Sequence, residues 1–280
     1  MRPAGPALRN IAKAWLLLAV LCAALGGLGW WLGGLRVGLI FVFCGLLLGV
    51  ADYWYADRVA MGMVGARELL PGEAPGLHST VERLSLKARV VKPRLYLIPD
   101  GFPRALSAGR GAANSTLAVS LGLLALPAPA ELEAIVAHEI AHVRNRDVLI
   151  QTTAVAIAAS LVELSRVGGF LSRQLLYVLG PIAASFVHLL LSPRREFEAD
   201  RLAAELCESP HALADALVRL EQASELVEFS ASPATEPLYT INPFAEEGLA
   251  KLFVTHPPVG ERVRRLRDLD PDWRERLRAA

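Results

Sequence analysis

Cysteine is scarce in this chain: Cys22, Cys44 and Cys207 show no paired spacing, and two of them lie inside apolar runs. That argues against a disulfide framework and against a cysteine-based zinc site. Charge of one sign is missing too. Lys and Arg total 29 against 28 Asp and Glu, a formal net charge of +1, and no long run of one sign marks a tail. Charge therefore indicates no nucleic-acid partner. The chain also lacks a G-x-x-x-x-G-K-[ST] loop that could cradle a nucleotide phosphate, so nothing suggests its own ATPase and no nucleotide is expected. What it has in excess is apolar residue. Hydrophobic side chains fill 53% of 280 positions, mean hydropathy is +0.37, and these residues are concentrated in blocks.

The first block runs from about Ala14 to Leu32 and a second from about Val37 to Tyr55. Each is near the length that crosses a bilayer core. Trp30 and Trp31 close the first; Tyr53, Trp54 and Tyr55 close the second, as an interfacial aromatic belt does. Gly29 with Gly33, and Gly45 with Gly49, have the small-xxx-small spacing that lets helices approach closely. These features predict a transmembrane hairpin over 1–56. A cleaved signal peptide competes for the first block, because Arg2, Arg9 and Lys13 form a basic leader. The immediate second block disfavours it. A lipoprotein reading of Cys22 is weaker, since Leu21 stands where a small residue is needed.

Two further apolar runs, Val148 to Leu164 and Leu175 to Leu191, are interrupted by Gln151, Glu163, Pro181 and His188. They read as two more spans within 148–192, with a buried helical hairpin as the alternative. Basic residues flank the first hairpin on the side of the chain termini, and only Arg36 lies between its arms. The positive-inside rule then puts both termini and both polar segments, 57–147 and 193–280, in the cytoplasm.

In the first polar segment, Arg94 to Ile98 and Ser115 to Ser120 alternate like strands, with a Gly- and Ala-rich stretch, Arg104 to Gly109, between them. Pro127 and Pro129 precede a helix expected from about Ala130 to Asp147. It carries His138-Glu139-Ile140-Ala141-His142. A helix advances about 100° per residue, so histidines four apart project from one face and can share one Zn²⁺. Glu139 can reach a water held there and act as general base. The bland alternative is a helix surface that happens to carry these residues. A third protein ligand is still required. Glu196 and Glu198 are candidates on a helix opened by Ser192-Pro193, with Asp200 one turn beyond Glu196 and on its face. One carboxylate could bind the metal while another accepts the distal N–H of a histidine ligand. The alternative here is a solvated face of i,i+4 ion pairs.

HEIAHVRNRD at 138–147, SPRREFEAD at 192–200 and LFVTHPPVGERVRRL at 252–266 together resemble the HtpX-type membrane zinc metalloproteases, relatives of the CAAX prenyl endopeptidases. VKPRLYLIP at 91–99 fits the same pattern, so the resemblance covers nearly the whole chain. It implies a mostly α membrane protein with four transmembrane helices and a small α+β zincin domain. It also implies one Zn²⁺ per chain held by His138, His142 and Glu196 rather than Glu198. The family often has an N-A-F-A-T-G-like stretch where this chain has Arg104 to Gly109, so Arg104 replaces the usual Asn.

His142 and Glu196 must meet at one ion, so crossings between them must number none or two. His142 lies six residues before Val148, roughly 9 Å of helix, which sets the metal just above the membrane surface. The edge near Arg104 to Gly109 could pair an extended substrate backbone. His256 is a candidate for steadying the tetrahedral oxyanion, or a helix-entry histidine that only packs nearby. His78 and His211 are expected in surface or capping roles and His188 in helix packing. Asn145 and Asp147 are left as groups behind the ligands or a helix end. The expected function is a stress-response endopeptidase of the bacterial cytoplasmic membrane, its catalytic domain facing the cytoplasm, degrading damaged or misfolded membrane proteins. The alternatives are a prenyl-peptide processing enzyme and, from another class, a membrane sensor or scaffold with a zincin-like domain.

Overall fold

The computed structural model describes residues 5–153, 193–226, 256–270 and 272. It opens with α1 (Gly5–Met63), which contains Leu18–Tyr55, the one segment among the described residues that is long and apolar enough to cross a membrane. α1 is not one rod. At Gly33 (φ −157°, ψ 22°) and Gly34 (φ 73°, ψ −167°) the backbone leaves the helical region and the chain folds back. Only glycine reaches the Gly34 conformation without strain. The two arms then pack through small residues. A methyl added to Gly29 would come within 2.9 Å of the Gly38 Cα, and one on Gly49 within 2.4 Å of Leu18 Cδ1. The expected hairpin is present as a fold. The other two expected spans fall on 154–192, outside the described residues, except that 148–153 is helical.

A four-stranded sheet follows: β1 (Arg67–Glu68), β2 (Arg94–Ile98), β3 (Ala105–Gly111) and β4 (Asn114–Ser120), in spatial order β1-β2-β4-β3. β2 and β4 run parallel, with Leu95 beside Leu117 and Leu97 beside Val119. The β3–β4 hairpin is antiparallel, with an irregularity between Gly109 and Gly111. Alternation divides the two faces of the sheet. Leu95, Leu97, Ala105, Leu117 and Val119 pack with the buried residues of the helical core. Ile98, Leu106, Ala108 and Ala118 pack instead on Ala60, Met61 and Val64, at the end of α1. The apolar hairpin is thus bolted directly to the back of the sheet.

The helices are α2 (Pro75–Ala88), α3 (Leu121–Ala125), α4 (Pro129–Asn145), α5 (Pro193–Cys207), α6 (Pro210–Leu226) and α7 (Val259–Asp268). α4 begins with proline at its first position, and Glu131 reaches back to the Ala128 N–H. From Ala134 to Val143 every residue of α4 is buried, as a helix enclosed on all sides must be. The acidic groups of its N-terminal end are neutralised: Glu131 pairs with Arg219 and Glu133 with Arg83, each at 2.8 Å.

The stretch Arg104 to Gly109, expected to present an exposed edge, is the edge strand β3 but is buried. Thr152 closes its end: the Gly109 N–H donates to Thr152 Oγ1 at 3.1 Å. Gly109 sits at φ +140°, and a Cβ there would meet the Asn114 carbonyl oxygen at 2.4 Å. Gly109→Ala should therefore lower stability by about 1–3 kcal/mol. Gly72→Ala, which meets nothing within 4 Å, should stay within about 0.5 kcal/mol. Denaturant unfolding of the two variants compares them, and equal losses would mean that this strained hairpin carries no special cost.

Candidate metal centre

α4 and α5 lie against each other and bring the metal-binding types together. His138 and His142, one turn apart on α4, and Glu196, in the first turn of α5, present ligand atoms within 4.8 Å of one another. The Nε2 atoms of the two histidines are 3.1 Å apart, His138 Nε2 is 3.6 Å from Glu196 Oε2, and His142 Nε2 is 3.6 Å from Glu196 Oε1. Tetrahedral Zn²⁺ with ligands at about 2.0–2.1 Å separates its donors by roughly 3.4 Å, so the spacing suits that ion. All three side chains are buried, whereas Glu198 is exposed on the opposite face of α5.

Each histidine is held from behind. His138 Nδ1 lies 3.0 Å from Asp200 Oδ1, and His142 Nδ1 lies 3.1 Å from Asp147 Oδ2. Carboxylates in these places fix the ring orientation and leave Nε2 for the ion. Asp147 can do this because α4 stops at Arg146, in the left-handed region at φ 61°, and a new helix starts there. Asp200, one turn beyond Glu196, reaches the other ring.

Arg262 on α7 was not singled out from the sequence. It is 1% exposed, and its Nε and Nη2 donate to Asp200 at 2.8 and 2.6 Å, with Nη1 3.8 Å from Glu196 Oε2. The signal was there: Val259, Arg262, Val263 and Leu266 form the buried face of α7, so an arginine stands on an apolar stripe. Arg195 is also buried, with Nη2 3.3 Å from Glu196 Oε1. His256 packs here as well: Nδ1 is 3.2 Å from Glu196 Oε2, and neither ring nitrogen makes a hydrogen bond among the described residues. His78 and His211 are elsewhere. His78 Nε2 lies 3.1 Å from the Leu69 carbonyl. His211, expected at the surface or in a cap, is buried and bonds the Asp270 carbonyl at 2.9 Å, just past the end of α7.

Glu139, Glu196, Asp200 and Asp147 are buried with two buried guanidiniums, those of Arg195 and Arg262. Among the described residues, buried carboxylates thus outnumber buried guanidiniums here by two, a composition suited to a divalent cation. Burial alone would raise the Glu196 carboxyl, but His256, His142 and His138 hold it well below the usual carboxylate range. Burial likewise opposes ionisation of Asp200, yet Arg262 and His138 bring it down to about 2. At His142 burial disfavours the imidazolium, but Glu196 and Asp147 outweigh it and lift the pKa to about 10. Without metal, these carboxylates favour a proton on His142.

Residues 71–270 match peptidase family M48. The chain belongs to this family. Curated relatives include a protease HtpX homolog of Pelotomaculum thermopropionicum, 38% identical over 275 residues that cover 92% of this chain and 98% of that protein. Another, from Pyrococcus abyssi, is 38% identical over 272 residues, covering 91% and 94%. Among solved structures, the crystal structure of S. mikatae Ste24p aligns over 94% of this chain and 67% of its own, at 18% identity and a TM-score of 0.49. Membership in M48 places the chain among the metalloproteases, and His138, His142 and Glu196 are its candidate metal site.

A metal ion that binds His142 must displace its proton, so loading with a divalent metal such as zinc should release about one proton at pH 8 and weaken as pH falls. Calorimetry in buffers of different ionisation heat measures this. A heat independent of buffer would mean that the imidazole is already neutral. The sign for the metal-free protein is the reverse. A raised His142 pKa stabilises the fold fully below its ordinary 6.5, and that contribution fades as pH climbs through about 10.

Proposed function

We propose that this M48 member is a membrane-embedded zinc endopeptidase acting on polypeptides in or next to the bilayer, with quality control of damaged membrane proteins as its role. One observation carries the reading. The His138–His142–Glu196 cluster is buried with an excess of carboxylate, and Glu139 stands beside His138 on the same enclosed helix. The apolar hairpin packs on the reverse of the sheet whose edge strand lies against α4. The catalytic helix and the membrane anchor are thereby held in fixed relation.

When bound, zinc supplies Lewis acidity toward water and the scissile carbonyl. The protein's own groups do the rest. Glu139 takes the proton of the attacking water and delivers it to the leaving amine. Asp200 and Asp147 orient the two histidines, and Arg262 fixes Asp200. His256, whose Nδ1 lies beside Glu196 and whose ring makes no hydrogen bond among the described residues, donates to the oxyanion as the tetrahedral state forms. In this reading both hairpins cross the bilayer and the two polar segments share the cytoplasmic face.

Glu139→Gln should keep its metal and lose about 10²–10⁴-fold in peptide cleavage, because an amide accepts no proton from water. Turnover unchanged at full metal content would remove Glu139 from the mechanism.

Metal analysis separates the two glutamates of α5. Glu196→Ala should lose most of its zinc and Glu198→Ala none. Equal retention in the two would reject the ligand set.

A further inference from the structure

We infer that Arg58 and Arg110, at the aromatic belt around Trp54, together with Arg146 beside Gly111, form a seat for the phosphate of an anionic phospholipid headgroup. The inference rests on the membrane reading given above. The arm from Val37 to Tyr55 is about 28 Å long, close to the hydrocarbon thickness of a bilayer. Its last residues, Tyr53, Trp54 and Tyr55, are 44%, 56% and 55% exposed. They therefore stand at headgroup depth, where amphipathic rings collect.

Two arginines from separate elements meet this belt, and a third stands next to the second of them in the chain fold. Arg110, at the end of β3, stacks its guanidinium 4.3 Å from the Trp54 ring centroid and 5.6 Å from that of Tyr53. Arg58 lies 5.7 Å from the Tyr55 centroid and shares a helix face with Trp54, four residues before it. Arg146, at the end of α4, lies alongside Gly111, its Cγ 4.0 Å from where a Cβ would stand. None of the three has a side-chain hydrogen bond or ion pair among the described residues. Several arginines elsewhere are matched: Arg67 with Glu73, Arg83 with Glu133, Arg94 with Asp57 and Arg219 with Glu131. Arg36, Arg89, Arg144 and Arg264 share the lack of an ion pair among the described residues but not the aromatic contacts. Asp57, the acid nearest in sequence to Arg58, is taken by Arg94 at 2.8 Å.

A guanidinium stacked face-on to an aromatic ring keeps its N–H edge free, and that edge matches phosphate oxygens. Three such edges beside an apolar arm fit a phosphate that itself carries acyl chains. Nucleic acid fits less well, because the chain as a whole is almost neutral. Arg146 caps the helix that bears His138 and His142, four residues beyond the second histidine. A headgroup held here sets the height of the metal centre above the bilayer.

The test uses the full chain in detergent, titrated with dansyl-phosphatidylglycerol or dansyl-phosphatidylcholine and followed by tryptophan-to-dansyl energy transfer. Each arginine near a lipid surface is worth about fivefold in affinity, so the wild type should prefer the anionic lipid by on the order of 100-fold. Arg110→Gln should lose about fivefold of that preference and Arg58→Gln with Arg110→Gln about 25-fold. Arg110→Lys, which keeps the charge but not the planar stack, should fall between wild type and Arg110→Gln. Equal affinity for the two lipids, or unaltered preference in the double variant, would overturn the inference. So would displacement of both lipids alike by inorganic phosphate, which marks a site for the free ion. Flotation of the full chain with vesicles separates the two readings. A chain that floats without lipid preference removes only the headgroup seat, while one that does not float removes the membrane reading and the seat with it.

Discussion

Everything at the centre of this protein depends on a cluster of buried charge. Four carboxylates and two guanidiniums are removed from water around three imidazoles. Leaving a buried ion without a partner costs about 3–5 kcal/mol, so the cluster tolerates few gaps. The Asp200–Arg262 pair shows how this is met: both N–H groups of the guanidinium fork engage one carboxylate, whose other neighbour is the His138 ring. α7 is thereby tied to α4 through α5 by charge as well as by packing. The carboxylate-rich, His-lined cluster suits a cation, and a cation held there ties together the packing of the helices that supply it.

Local patterns were legible in the sequence where period and chemistry coincide. The i,i+4 histidines, the strand alternation of Arg94 to Ile98 and the glycine spacing of the hairpin each need only neighbours in sequence. Glu196 shares a face with Asp200 while Glu198 does not, and the structure buries the first pair and exposes the third. Less was legible where a residue's role depends on another element. Arg262 sits in a charged run and reads as solvated; only the apolar positions around it on α7 give it away. Asp147 depended on a left-handed break at Arg146 that no residue type announces. β3 was hard to recognise as a strand because glycine, alanine and arginine have little preference for one. It is a strand because β4 and α4 enclose it.

The sheet gives the molecule two distinct sides. One face joins the helices that carry the site, and the other rests on the end of α1. The β3–β4 turn reaches the aromatic belt, where Arg110 meets Trp54. A strand bordering the catalytic helix therefore also touches the anchor, so the depth of the anchor and the position of that strand vary together.

The glycine contacts of the hairpin divide its surface by tolerance to sequence drift. Trp15, Leu16, Leu39, Ile40 and Leu46 point outward and can exchange with other apolar residues of many sizes. At Gly26, Gly29, Gly38, Gly45 and Gly49 the opposite arm stands where a methyl group would go, so hydrogen is the only substituent that fits without movement. Lineages carrying this hairpin should accumulate changes on the lipid-facing side and remain almost frozen along the seam.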